Sequence, residues 1–355
     1  MAKISFARAQ HNFSGTLRKR VEEYFSTSSV KNTGNWKLYT KTIVLFLSLI
    51  LLYTTLVFLH LPAWAAIPLC IVMGMNIAAI GFNVMHDGCH GSYSTKPWVN
   101  DLMGYSLDIL GGCSYLWKVK HNVAHHSYTN IEGHDDDIDN KPLMRMSTNQ
   151  KKYWFHKYQH IYWPVLYCFT YFMWIAIRDF NKYFSRKIAE TEVPPMTLNQ
   201  HFLFWLGKVI YTCLFIVIPV WQLGWVNFAI GYGVLSAAVG LTIAIVFQLA
   251  HVVDKVEFPV PAEDTGKIEQ EYYLHQLATT ANFSTRSKFL GWFTGGLNFQ
   301  VEHHLFPRIS HIHYPAISRI VKQVCAEYGV AYHEFPTFFS AVRAHVLHLK
   351  RVGAA

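Results

Sequence analysis

An all-α integral membrane architecture, with four spanning helices arranged as two hairpins, is predicted by three features of the sequence. Of 355 residues, 52% are hydrophobic and 16% aromatic but only 15% charged, well under the quarter typical of soluble domains. Apolar runs of near-span length, uncharged but for Lys208, occur in two pairs. Patterned histidines gather at the ends of these runs.

The runs cover residues 42–61, 62–85, 203–225 and 226–250, each close to the roughly 20 residues that a bilayer core needs in helix. Within the third, Lys208 is expected to snorkel. The turns lie around His60-Leu61-Pro62-Ala63 and Gln222-Leu223-Gly224-Trp225, and neither carries a charge. Arg18, Lys19, Arg20, Lys31, Lys37 and Lys41 precede the first run, and Lys118, Lys120, Lys151, Lys152, Arg186 and Lys187 lie between the hairpins. The positive-inside rule then puts both termini and the central segment in the cytosol. Residues 1–41 form a cytosolic segment without the apolar core of a signal peptide, and 42–355 form one membrane domain. Leu102–Trp117 and Ile161–Ile177 are apolar too. They are expected to be interfacial or half-inserted helices, because a crossing by the second alone would separate the histidine clusters across the bilayer.

The formal charge of +9 fits basic residues flanking spans. No nucleic-acid-binding signature accompanies it, so nucleic acid is not an expected partner. The six cysteines are scattered, with no C-x-x-C pair, and are expected to be core residues.

The twenty histidines carry the functional signal. His86-x3-His90 closes the second run, His121-x3-His125-His126 follows, Gln300-x2-His303-His304 comes after the second hairpin, and His251 ends the fourth run. On a helix, residues four apart share a face, so His86 with His90, and His121 with His125, can reach one metal. Adjacent histidines splay by about 100° and can serve two. Eight imidazoles exceed the needs of one ion, so two metals are expected; imidazole alone does not choose among Fe, Zn, Cu and Ni. His60 and His160 are expected to be interfacial contacts. The Asp135-Asp136-Asp137 run is expected to be a solvated loop rather than a cation site. His311 and His313 are expected either to orient ligands or to sit in a turn before Pro315.

These three clusters resemble the histidine boxes of the membrane fatty acid desaturase superfamily in order and separation. The resemblance runs from the first span to about Pro315. It implies four spans beneath a cytosolic helical cap holding two non-haem irons, with His86, His90, His121, His125, His126, His251, His303 and His304 as ligands. Gln300 stands where many members have His and is a ninth candidate. Together with Gly295-Gly296-Leu297-Asn298-Phe299 before it and Leu305-Phe306-Pro307 after it, Gln300 resembles the front-end enzymes, which place a cis double bond between an existing one and the carboxyl end. No His-Pro-Gly-Gly haem motif of a fused cytochrome b5 occurs, so the chain is similar to the shorter, unfused bacterial type. The resemblance implies a linoleoyl-like acyl-CoA or acyl-lipid substrate, O2 as co-substrate, and an external donor, ferredoxin or cytochrome b5 with its reductase. The expected location is a bacterial inner membrane rather than endoplasmic reticulum.

An unactivated methylene is beyond any side-chain base, so metal-activated O2 has to do the work while the protein positions the chain and excludes water. Trp117, Trp292, Phe293 and Phe299 are candidate tunnel residues; Arg286, Lys288, Lys118 and Lys120 are candidates for meeting a headgroup. A hydroxylase of the same superfamily is the nearest alternative. A metal-ion transporter would place ligands near the bilayer midplane, and a haem protein would need axial histidines on facing spans; the sequence favours neither.

Overall fold

The computed structural model describes residues 4–8 and 12–355 and is predominantly helical. The chain divides into two compact units: Gly34–His121 with Tyr162–Val246, and Met1–Thr33 with Asn122–Ile161 and Phe247–Ala355. Three helices are long and apolar enough to cross a membrane: Trp36–Phe58, Ala63–His90 and Leu198–His251. A pair bent by 62°, Trp154–Cys168 and Thr170–Ser185, would make a fourth if it were one span.

The first unit holds most of the apolar helix. Helix Trp36–Phe58 starts at Asn35, whose side chain accepts from the Lys37 amide at 3.0 Å. Its Ile43, Leu47, Ile50 and Leu51 are all more than half exposed, a face for hydrocarbon rather than water. After a turn in which His60 adopts positive φ (49°), Pro62 opens the next helix. The 54-residue helix Leu198–His251 starts in a capping box between Thr197 and Gln200 and is interrupted at Gly224, where φ 75° and ψ 163° reverse the chain. One His60 ring nitrogen lies 3.2 Å from the Gln222 carbonyl, which joins the two turns as an ordinary polar contact. Small residues bring backbones together, as elsewhere in membrane bundles. A Cβ on Gly74 would come within 2.8 Å of the Leu235 carbonyl, and one on Gly240 within 2.7 Å of the Cys168 carbonyl.

Two lysines depart from expectation. Lys208 does not snorkel: it is buried and donates to the carbonyls of Gly111 (2.6 Å) and Ile175 (3.1 Å) and to Asp179 Oδ2 (3.2 Å). Lys41 lies inside the first helix and donates to Asn83 Oδ1 at 2.7 Å. A cation out of water needs such partners, and here the neighbouring chain supplies them. Leu102–Trp117 is divided among the short helices Pro97–Gly104, Ser106–Ile109 and Ser114–Lys118, with Gly111 at φ 92° between the last two, so none approaches span length. In the bent pair neither arm reaches the roughly 20 residues of a straight span.

The second unit is built on amphipathic helices. Phe13, Leu17 and Val21 repeat every four residues along Phe13–Ser28 and pack with Val301, Leu305, Ile317, Val321 and Val324. Part of the 1–41 segment is therefore core. Short parallel pairings join Ser5–Phe6 to Lys267–Ile268 and Asn282–Phe283 to Glu334–Phe335. The C-terminal helix Phe338–Ala354 is latched by buried Arg145, which donates to the carbonyls of Val352 (2.7 Å), Gln150 (2.7 Å) and Thr148 (2.6 Å). Arg145→Met strands three carbonyls and should cost about 3 kcal/mol. Differential scanning fluorimetry in detergent checks this; an unchanged melting temperature would remove the latch.

Candidate metal centre

The helix that begins at Ala63 becomes special where the histidines start. An α-helix to Ile80 passes into a π-turn, Gly81–Met85, and then into the α-turn His86–His90, closed by Gly91 at φ 71°. A π-turn inserts a residue and re-aims the faces beyond it, a device found often at functional sites. The second histidine segment, Val119–His125, is itself π-helical, so the α-helical spacing argument does not apply there.

In the first unit, His86, His90 and His121 are buried with ligand nitrogens within 4.8 Å of one another. The Nε2 atoms of His86 and His121 lie 3.2 Å apart, the separation of two ligands on one ion with bonds of about 2 Å. Trp117 stacks on His121 at 4.3 Å between ring centres and meets His86 and His90 edge-on at 5.5 and 5.9 Å. The indole walls the cluster.

In the second unit, His125, His251 and His304 form one buried trio and His126, His303 and His304 another, each with ligand atoms within 4.8 Å. The Nε2 atoms of His126 and His303 are 3.0 Å apart. The opposite nitrogens are held in place. His125 Nδ1 lies 3.0 and 3.1 Å from the Asp135 carboxylate oxygens, His303 Nδ1 3.0 Å from the Tyr314 hydroxyl, His304 Nδ1 2.8 Å from Gln276 Oε1, and His251 Nδ1 3.3 Å from the Thr279 carbonyl. An Nδ1–H given to an oxygen leaves Nε2 as a lone-pair donor, the arrangement of metal-ligating histidines. His251 Nε2 and both amide atoms of fully buried Gln300 have no hydrogen-bond partner among the described residues. Buried polar atoms seldom go unsatisfied, so the donor set fits metal ions.

Asp135 corrects the solvated-loop expectation. It is fully buried, accepts from the amides of Asn130 (2.9 Å) and Asp137 (3.0 Å), and orients His125. Asn130, in left-handed conformation (φ 59°), ties the ends of several segments by donating to the carbonyls of His251 (2.9 Å) and Glu257 (3.0 Å). Gln276 and Tyr314 were equally unmarked in the sequence. His311 and His313 lie in a buried 3-10 turn, with His313 3.3 Å from the Thr33 carbonyl; Tyr314 directly after them reaches His303. Glu302 is fully buried beside His303 and His304. Burial pushes its carboxyl up to about 7, against the pull of hydrogen bonds from Asn282 (2.7 Å) and Tyr332 (2.8 Å). Of the tunnel candidates, Trp117 and Phe299 are buried, Phe293 half-buried and Trp292 exposed. Lys118 pairs with Asp101 at 2.9 Å, and Arg286 and Lys288 are exposed.

Comparison with known proteins converges on the same chemistry. The sn-1 linoleoyl-lipid 6-desaturase of Arthrospira platensis is 36% identical, over 99% of this chain and 95% of that protein. The counterpart of the same name from Synechocystis sp. is 35% identical, over 99% and 98%. The acyl-lipid (8-3)-desaturase of Physcomitrium patens is 37% identical, over 99% of this chain and 74% of that protein. The profile of the family described as fatty acid desaturase matches residues 62–336. With buried histidine clusters where the boxes fall and relatives similar along nearly the whole of this chain, this membrane oxidoreductase belongs to the fatty acid desaturase family.

Proposed function

We propose that the chain is a front-end acyl-lipid desaturase that places a cis double bond into a linoleoyl-like chain, on the carboxyl side of an existing double bond. The observation that carries it is the pair of buried histidine sets, one in each unit, behind a Gln300 third box. His86, His90 and His121 would hold one iron; His125, His126, His251, His303 and His304 would hold a second, with Gln300 beside them. Residues 42–355, with the first helix turns from Trp36, would form the catalytic membrane domain, and the residues before them a cytosolic segment whose helix Phe13–Ser28 packs into the core. Gly224 divides the 54-residue helix into two spans, giving four in two hairpins. The Lys/Arg asymmetry puts both termini in the cytosol, in a bacterial inner membrane. Reporter fusions at Ala355 and near Gln222 should report opposite sides; the same side would defeat the hairpin topology.

Bound iron would supply the O2 activation that no side chain can. The chain's own residues orient and shield. Asp135, Gln276, Tyr314 and the Thr279 carbonyl fix the rings, and Trp117 keeps water off His86, His90 and His121. Asp135→Asn removes the charge that accepts from His125 and two amides. It should lower iron content or turnover about 10- to 100-fold, read by metal analysis beside activity on folded protein; wild-type values would demote Asp135 to loop structure.

Expression in a host lacking polyunsaturated lipids, with fatty acids fed and products mapped by gas chromatography–mass spectrometry, tests the reaction. A new double bond nearer the carboxyl end is expected. A hydroxyl group carrying oxygen from O2 would make the enzyme a hydroxylase instead.

A further inference from the structure

We infer that a cavity at the polar start of helix Leu198–His251, with the permanent cation Arg186 in its lining, seats the phosphate of a glycerophospholipid, and so selects phospholipid over phosphate-free acyl lipid as the substrate. The inference rests on the acyl-lipid desaturase reading above. The cavity, of about 160 Å³, is lined by Leu116, Tyr183, Phe184, Arg186, Val193 and His201, among others. At this volume it is too small for a whole ligand and suits a headgroup whose chains lie outside.

Its walls are built. The Val193 amide donates to the Arg186 carbonyl at 2.9 Å, the hairpin Lys187–Ile188/Thr191–Glu192 lies between them, and the Tyr115 hydroxyl donates to the Pro194 carbonyl at 2.9 Å. Below lies a core of Cys113, Leu116, Ile188, Val193 and Phe204. The polar groups form a relay. The Trp205 indole N–H donates to the Tyr183 hydroxyl at 3.2 Å, which lets that hydroxyl donate to His201 Nδ1 at 2.8 Å. The His201 proton then sits on Nε2 as a donor. Arg186 adds a permanent cation with the planar fork that suits phosphate oxygens.

The surroundings are apolar and exposed: Phe184 is 68% exposed, Leu198 89%, Phe202 61% and Trp205 45%. Aromatic and cationic side chains at a span's end mark the headgroup level. The cavity also adjoins the chemistry. Leu116 in its lining and Trp117 against His86, His90 and His121 are neighbours on the helix Ser114–Lys118 and project about 100° apart. The helix Ser114–Lys118 thus touches the cavity through Leu116 and the histidines through Trp117. Front-end chemistry needs this closeness, since the reacting carbons lie only a few bonds from the ester.

The test uses full-length iron-loaded protein in nanodiscs of digalactosyldiacylglycerol, whose headgroup has no phosphate, with or without phosphatidylglycerol. Lipid retention is counted by native mass spectrometry, and desaturation is followed on each lipid. Wild type should retain one phosphatidylglycerol, and Arg186→Gln should lose it and raise KM for that lipid about tenfold with kcat unchanged. Arg186→Lys should retain part of the preference, and His201→Ala should resemble Arg186→Gln. Iron content and melting temperature equal to wild type certify the fold. Inorganic phosphate at millimolar concentration should not displace the lipid. Equal retention by Arg186→Gln, equal preference for the galactolipid, or displacement by free phosphate would each overturn the assignment. Absence of any desaturation by wild type, with lipid retention intact, would instead fault the proposed reaction.

Discussion

Substituting His251 by Ala should strip iron from the enzyme and reduce turnover by at least about 100-fold, more than loss of an orienting residue usually costs. His251 is the last residue of a 54-residue apolar helix and is buried. Its ring centre lies 4.7 Å from those of both His125 and His304. The Thr279 carbonyl engages Nδ1, and Nε2 has no hydrogen-bond partner among the described residues. A histidine kept for packing would satisfy that nitrogen or replace it with carbon, because an unpaired buried polar atom costs about 1–3 kcal/mol. His60→Ala, in an exposed turn, is the matched control and should leave both iron and activity intact. If His251→Ala kept its iron and its activity, the residue would leave the proposed ligand set.

The sequence marked the histidines that the fold gathers but not the residues that hold them in place. Hydropathy and turn residues placed the long apolar helices because both are local signals: Pro62 and Gly224 break them where the apolar runs meet. The histidine clusters were equally visible, since their spacing is written along the chain. Asp135 was not. It lies ten residues after His125 among other acids, and only the fold shows that this one carboxylate turns inward. Gln276 and Tyr314 reach His304 and His303 from distant helices, which no local pattern marks. Lys208 was misjudged for the same reason. A lysine near a span's end has water as its default, and the carbonyls of Gly111 and Ile175 that hold it come from other segments. The π-turns at Gly81–Met85 and Val119–His125 are also silent, because they change which face a histidine presents without changing its type.

Sustained turnover should require a separate one-electron donor, a ferredoxin or cytochrome b5 with its reductase. Reduction of O2 to two waters takes four electrons; the two C–H bonds of the substrate give two, and two must come from outside. No flavin, haem or nicotinamide-binding signature occurs in the sequence. Purified enzyme with lipid and O2 alone is therefore expected to give at most one turnover, and only from pre-reduced iron. Adding donor, reductase and reduced nicotinamide should restore continuous product formation. The net charge of +9, concentrated by the Lys and Arg residues outside the spans, should steer an acidic donor to the enzyme. The apparent KM for donor should then rise with salt as the Debye length contracts from about 10 Å at 0.1 M to about 3 Å at 1 M. A donor dependence indifferent to salt would confine recognition to short-range contacts. Continuous turnover with no donor or reductant would mean that the chain carries its own source of electrons, and the external-donor mechanism would fall.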